Sequence, residues 1–170
     1  MEVLIYPHPI LRRGGQPVTE FGPELRALSA RMMEAMYEEG GVGLAAPQVG
    51  IEWKLLVLNP SGSRDDRSGE MTLCNPRITR KKGREFEEEG CLSFPGIHAE
   101  VERWVDLTIT YQDLDGKEQQ LATSGWLARI IQHELDHLEG IVFTDRLTAA
   151  EKLRVKARLQ ELEDRYRAQG

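Results

Sequence analysis

The first sustained periodicity runs from Pro23 to Glu39, where Leu25, Leu28, Met32, Met33 and Met36 recur at helical spacing. Pro23 suits a first turn and Gly40-Gly41 a stop, so an amphipathic N-terminal helix is expected there. Its methionines read as core packing, because the flexible thioether fills gaps in apolar interiors. The pattern then shortens. "WKLLVL" at 53 to 58 is an apolar run that ends at Asn59-Pro60, and the following "SGSRDDRSGE" has the composition of an exposed loop. "MTLCNPRITR", "GIHAEVERW" and "VDLTITYQD" alternate in part and read as separate antiparallel strands, with "DLDG" as a hairpin turn before "KEQQLAT". In "RITRKKGREFEEEG" the basic residues give way to glutamates within a few positions, which fits a solvated strand edge guarded by charge.

Helical spacing returns at "GWLARIIQHELDHLEG", with Thr123 and Ser124 as N-cap candidates and Gly140 at the stop. Trp126, Leu127, Ile130, Ile131, Leu135 and Leu138 make this helix apolar around most of its circumference, as expected of a buried one. A last helix is expected at about 148 to 168, opened by Thr148 and Glu151 at capping-box spacing, with Leu153, Leu159 and Leu162 on its apolar face. The 170 residues fit one domain, and 40% hydrophobic with 29% charged residues is a globular composition. "MEVLIYPHPI" contains no apolar run long enough for a signal peptide, and no membrane-spanning stretch follows, so a cytoplasmic location is expected. The net charge of -6 confines any contact with an anionic partner to a local patch. No disulfide is expected between Cys74 and Cys91, and Cys74 reads as a small buried hydrophobe.

The polar residues of the buried helix need an explanation. "QHELDHLEG" at 132 to 140 places His133 and His137 four residues apart on one helical face, where both rings can reach one metal ion. Glu134 stands beside that ion without having to ligate it, which is the place of a base that takes a proton from water. Burying three such groups without a metal or partners costs several kcal/mol. A third ligand is needed. Glu139, Asp145 and Glu151 have no persuasive spacing, whereas Cys91 in "EEEGCLSFPG" lies in a bent, glycine-rich segment where backbone and thiolate can approach an ion.

Three segments now stand in order: "GVGLAAPQ" at 41 to 48, "EGCLS" at 89 to 93 and "QHELDHLEG" at 132 to 140. In that order and spacing they resemble the three signature motifs of the peptide deformylases. The resemblance extends over essentially the whole chain, from "YPHPILR" to a C-terminal helix like that of the bacterial type with a helical tail. It implies an α+β fold, with antiparallel β-sheets packed around a central buried helix carrying HExxH and a helix toward each end. It also implies a single metal held by Cys91, His133 and His137, natively ferrous iron with zinc or nickel able to substitute; the donor set by itself suits iron and zinc alike. The implied reaction removes the formyl group from the N-terminal formylmethionine of new polypeptides and releases formate. Glu134 would serve as base and then acid. The side-chain amide of Gln48 and the backbone N–H of Leu92 would meet the oxygen that gains charge. Gly43, Leu44 and Gly90 would bind the substrate, which lies extended like an added strand. No role carries over to Arg129.

Two other readings account for less. An endopeptidase of the HExxH kind leaves Cys91 and "GVGLAAPQ" unexplained, and a structural metal module calls for a fourth ligand and gives Glu134 no reason to adjoin the site. On charge pattern alone the basic residues from Lys152 to Arg167 form a solvated helix face. The resemblance adds docking of that helix on the ribosome, on ribosomal RNA near the exit of the nascent chain. No membrane partner and no sequence-specific nucleic acid are expected.

Overall fold

The computed structural model describes residues 1–170. In chain order it contains α1 (Pro23–Glu38), β1 (Gly43–Ala45), β2 (Leu55–Leu58), β3 (Met71–Gly90), β4 (His98–Gln112), β5 (Glu118–Ser124), α2 (Gly125–Leu138) and α3 (Ala149–Gln169), with short 3₁₀ turns at Pro9–Arg12, Ala46–Val49 and Phe143–Arg146. The five strands form one antiparallel sheet in the order β1-β2-β3-β4-β5, and with the three helices they make an α+β fold.

β2 shows why the sheet has two covered faces. All four of its residues are buried. Leu55 and Val57 pack with Met32 and Met36 of α1, whereas Leu56 and Leu58 pack with Ala128, Ile131 and Leu138 of α2. Successive side chains of a strand point to opposite faces, so an uninterrupted apolar run is what a strand between two helices requires. β1 obeys the same alternation: Leu44 joins the α1 side and Ala45 the α2 side.

The strands differ from their expected lengths. β3 runs without a break for 20 residues and β4 for 15, where the sequence suggests several shorter pieces. Register shifts between Cys74 and Arg77 and between Ile78 and Arg80 absorb the irregularities that look like strand ends; such bulges bend a strand without ending it. Asn75, at φ 52, sits in the first shift. β3 pairs with β2 over Met71–Cys74 and with β4 as far as Gly90, so it joins the short strands to the long hairpin in one sheet. The β4–β5 turn at Asp113–Lys117 closes as expected, with Gly116 at φ +78.

The helix ends depart from expectation in detail. Ser124 occupies the N-cap of α2 but its side chain makes no capping bond, because the chain turns directly from β5 into the helix at Gly125, whose φ is +61. Thr148 caps α3 by accepting from the Glu151 N–H, yet Glu151 does not reciprocate: its carboxylate accepts from the Glu100 N–H of β4 and from Arg154. The buried face of α3 is formed by Val155, Leu159 and Leu162, while Leu153 points to solvent at 73% exposure. Trp126, expected inside, is also exposed. No helix is long and apolar enough to cross a membrane.

α3 and the Phe143–Arg146 turn enclose a further cluster containing Phe94 and Ile97, which anchors the loop between β3 and β4. Ile131 is fully buried between α2 and the sheet. Replacing it with alanine should lower stability by about 2–5 kcal/mol, read as a lower urea midpoint at unchanged slope; an unchanged midpoint would contradict this packing.

Candidate metal centre

α2 carries Arg129, His133 and His137 at four-residue intervals, so all three lie along one face of the helix. His133, Glu134 and His137 are buried. Cys91 is the first residue after β3, at the start of the loop to β4, and its carbonyl accepts from the Phe94 N–H at 2.9 Å. With Phe94 locked in the core, the loop presents the thiol to α2. Cys91 Sγ lies 3.5 Å from His137 Nε2, and the ligand atoms of Cys91, His133 and His137 all fall within 4.8 Å of one another. Cys74 is buried away from the site, and both cysteines are free.

Hydrogen bonding settles which ring nitrogen of His133 is available. Its Nδ1 lies 2.8 Å from Glu89 Oε1, leaving Nε2 for a ligand. Glu89 Oε1 also accepts from Arg103 Nη2 at 3.0 Å, and Oε2 accepts from Arg103 Nε at 2.8 Å and from Arg129 Nη1 at 2.6 Å. Arg103 spans to Asp136, which Arg146 grips in turn with two nitrogens. Burial works against the charge on Glu89, but hydrogen bonds from His133 and Arg103 outweigh it and hold the carboxyl down to about 2.

The remaining buried groups are less settled. Glu134 Oε1 and His137 Nδ1 are the buried side-chain polar atoms without a hydrogen-bond partner. Burial pushes the Glu134 carboxyl up to about 7. The two imidazoles, with ring centroids 5.3 Å apart, move in opposite directions. Burial opposes a proton on His133, but Glu134, Cys91 and Glu89 raise its pKa well above the ordinary histidine value; burial, together with His133 and Arg103, pushes His137 well below it. A thiol, two buried imidazoles converging on it and a carboxyl oxygen with no partner fit a divalent transition metal with an open position.

A cavity of about 420 Å³ opens onto this cluster. Gln48 reaches it from the Ala46–Val49 turn: its Oε1 accepts from the Ala45 N–H at 2.9 Å, and its Nε2 donates to Ser93 Oγ at 3.1 Å and points toward Cys91 Sγ at 3.6 Å. The Leu92 N–H is not bonded to any group of the chain. Gly43 and Gly90 line the cavity, and a Cβ on Gly90 would come within 2.9 Å of the His98 ring. Leu44 does not bring its side chain to the cavity; it is fully buried on the α1 side, which leaves only its backbone for the site.

The family model for polypeptide deformylase matches residues 1–153. The chain belongs to the polypeptide deformylase family. It is 42% identical over 161 residues to the peptide deformylase of Acidobacterium capsulatum, covering 95% of this chain and 94% of that one. It is 41% identical over 167 residues to the chloroplastic peptide deformylase 1B of Oryza sativa, covering 98% of this chain and 62% of that longer protein. A crystal structure of peptide deformylase from Plasmodium falciparum superposes with a TM-score of 0.96 at 39% identity, covering 98% of each chain. Peptide deformylases are metalloenzymes that hydrolyse the N-formyl group of formylmethionine on nascent polypeptides, releasing formate.

Sequence reasoning did not single out Glu89, Arg103, Arg129, Asp136 or Ser93. Arg129 had a usable signal, since an arginine one turn before His133 on a buried helix has to meet an anion. Gly43 acquires a role from its surroundings: a Cβ there would lie 2.8 Å from Glu134 Oε2 and 2.9 Å from its Cγ. The glycine leaves room for the buried Glu134 carboxyl. Gly43→Ala should therefore lower kcat by about a hundredfold through displacement of that carboxyl, with little change in KM; a raised KM at unchanged kcat would instead assign Gly43 to substrate contact alone.

Proposed function

We propose that residues 1–170 form a single catalytic domain, with α2 as its central helix, in which Cys91, His133 and His137 hold one divalent ion. The native ion in this reading is ferrous iron, with zinc or nickel able to take its place. The observation that carries the reading is the convergence of these three donors within 4.8 Å beside a buried carboxyl oxygen that has no partner. Held there, a divalent cation would supply Lewis acidity toward a carbonyl oxygen and a water molecule.

The chain's own groups do the rest. Glu134 takes the proton from the attacking water at its unpartnered oxygen, and its elevated pKa lets the same group hold that proton near neutrality and pass it to the departing amine. The Gln48 amide and the Leu92 N–H donate to the oxygen that gains charge as water adds to the formyl carbon. Gln48 suits this because its Oε1 is already committed to the Ala45 N–H, which fixes the amide with nitrogen toward the site. The substrate lies extended between Gly43 and Leu44 of β1 and Gly90 of β3, contacting their backbone. β1 pairs only with β2, so its other edge is available to an added strand.

The decisive experiment measures formate release from a formyl-Met-Ala-Ser peptide by anaerobically iron-loaded protein. Rapid release by the wild type and a loss of about a hundredfold or more in Glu134→Ala that still holds iron are expected; no release by the loaded wild type would overturn the assignment.

The enzyme works in the cytoplasm in this reading, and α3 docks it on the ribosome. Lys152, Lys156 and Arg165 of α3 are exposed and form no ion pair with acids of the chain, which supports a surface for an anionic partner. Deleting α3 would be a poor test, because Val155 and Leu162 are part of the core. The combined variant Lys152→Glu, Lys156→Glu, Arg165→Glu should instead weaken co-sedimentation with ribosomes, most at low salt, while formate release from short peptides is retained; co-sedimentation equal to wild type would remove the ribosome from the proposal.

A further inference from the structure

We infer that Arg129 is a positioning residue for the metal site, acting on His133 through Glu89 and on Cys91 through β3. The inference rests on the reading of Cys91, His133 and His137 as metal ligands. The site draws those ligands from two separate elements: Cys91 follows the end of β3, and the histidines belong to α2. Something must fix the distance between the two elements. Arg129 does so from one side chain, itself 5% exposed.

Its Nη1 donates to Glu89 Oε2 at 2.6 Å and to the Val101 carbonyl at 2.8 Å, and its Nη2 donates to the Glu85 carbonyl at 3.0 Å. Glu85 and Glu89 belong to β3 and Val101 to β4, so one guanidinium clips both strands of the hairpin to α2, and the last of its β3 contacts lies two residues before Cys91. Arg129 also lies four residues before His133. The Glu89 carboxylate therefore bridges one turn of α2, from Arg129 on one oxygen to His133 on the other.

The carboxylate has no spare capacity. It takes part in four hydrogen bonds, two through each oxygen, which is about the number an ionised carboxylate can make. With every site filled, it cannot turn about its own axis without breaking a bond, and Oε1 stays aimed at His133 Nδ1. Removal of Arg129 leaves Oε2 with Arg103 Nε alone. Arg103 still holds both oxygens and is anchored by Asp136, so the carboxylate stays on the strands but loses the bond that ties Oε2 to α2, and Oε1 is no longer fixed relative to the helical turn that carries His133. Groups that orient a metal-bound histidine through its second nitrogen commonly change metal affinity by about 10–100-fold when removed.

Arg129 also borders the cavity, so turnover alone would mix positioning with substrate contact. The test is zinc affinity, measured by competition with a chromophoric chelator for the full-length wild type, Arg129→Met and Arg129→Lys, with thermal unfolding of each protein in metal-free and zinc-loaded form. A positioning role predicts a dissociation constant raised about tenfold or more in Arg129→Met and to an intermediate value in Arg129→Lys, which keeps a cation but not the fork. It also predicts a smaller gain in melting temperature on zinc loading and, in the cobalt-loaded proteins, a shift of the visible ligand-field bands. A purely structural role would destabilise metal-free and zinc-loaded protein alike and leave the dissociation constant unchanged. That result overturns the inference. Arg129→Lys retains the charge and most of the volume, so it decides the question if Arg129→Met does not fold. A wild type that binds no zinc would overturn the metal reading and this inference together, whereas tight wild-type binding with unaltered affinity in the variants overturns only the latter.

Discussion

A carboxylate buried to 6% exposure has to be matched by donors or lose its charge, and the way Glu89 is matched determines much of this molecule. Its partners come from two elements, Arg103 from β4 and Arg129 and His133 from α2, while Glu89 itself belongs to a third, β3. The interaction therefore holds the hairpin against the helix and orients the His133 ring in the same set of bonds. Arg103 extends the network to Asp136 and, through it, to Arg146 in the turn before α3. A lone ion pair in this environment would add little net stability, because desolvation offsets attraction. A saturated network behaves differently, since each removal strands the charge that remains.

The sheet supplies the other constraint. Because β1 and β2 alternate between α1 and α2, the parity of a residue decides whether it can meet the site. Leu44 is committed to the α1 side and Ala45 to the α2 side, so Gly43, of the same parity as Ala45, is the β1 position that meets Glu134. A larger residue at 43 would compete with the carboxyl for space, whereas Leu44 can be large because its side chain never faces α2.

Much of this is readable in the linear chain. The spacing of His133 and His137 on an otherwise apolar helix points to a metal without any structure, because buried imidazoles demand an explanation that periodicity cannot provide. Cys91 follows from the same demand and from the glycines and proline around it. The helices were legible for the usual reason, a 3.6-residue period ended by glycine, as at Gly40 and Gly140. The length of β3 was not. Its charged middle reads as a solvated strand edge, but without apolar alternation nothing in the sequence joins it to the strand before it, and the bulges disguise one strand as several. Ser124 and Glu151 look like capping residues and are not used as such, because a strand feeding straight into α2 and a neighbouring β4 N–H claim those positions first. The Glu89 network was also out of reach. Glu89 stands in a run of glutamates, and only the pairing of β3 with β4 singles it out by placing it opposite Ala99, on a stretch that α2 covers.

Two buried carboxyls lie on either side of His133, and their opposite treatment is what makes the site chemically directional. Glu89 takes part in four hydrogen bonds and is held at about 2, so it stays an anion and acts only by holding other groups. Glu134 is equally enclosed, yet one oxygen has no partner and burial lifts its pKa to about 7, so it can exchange a proton near neutrality. Had the arginines reached Glu134, it would be pinned as an anion and too weak a base for water. Had Glu89 been left bare, it would protonate, and His133 would lose the acceptor that fixes its tautomer. The cations on the Glu89 side thus do two things at once. They keep one carboxylate charged, and by being spent there they leave the other free to work.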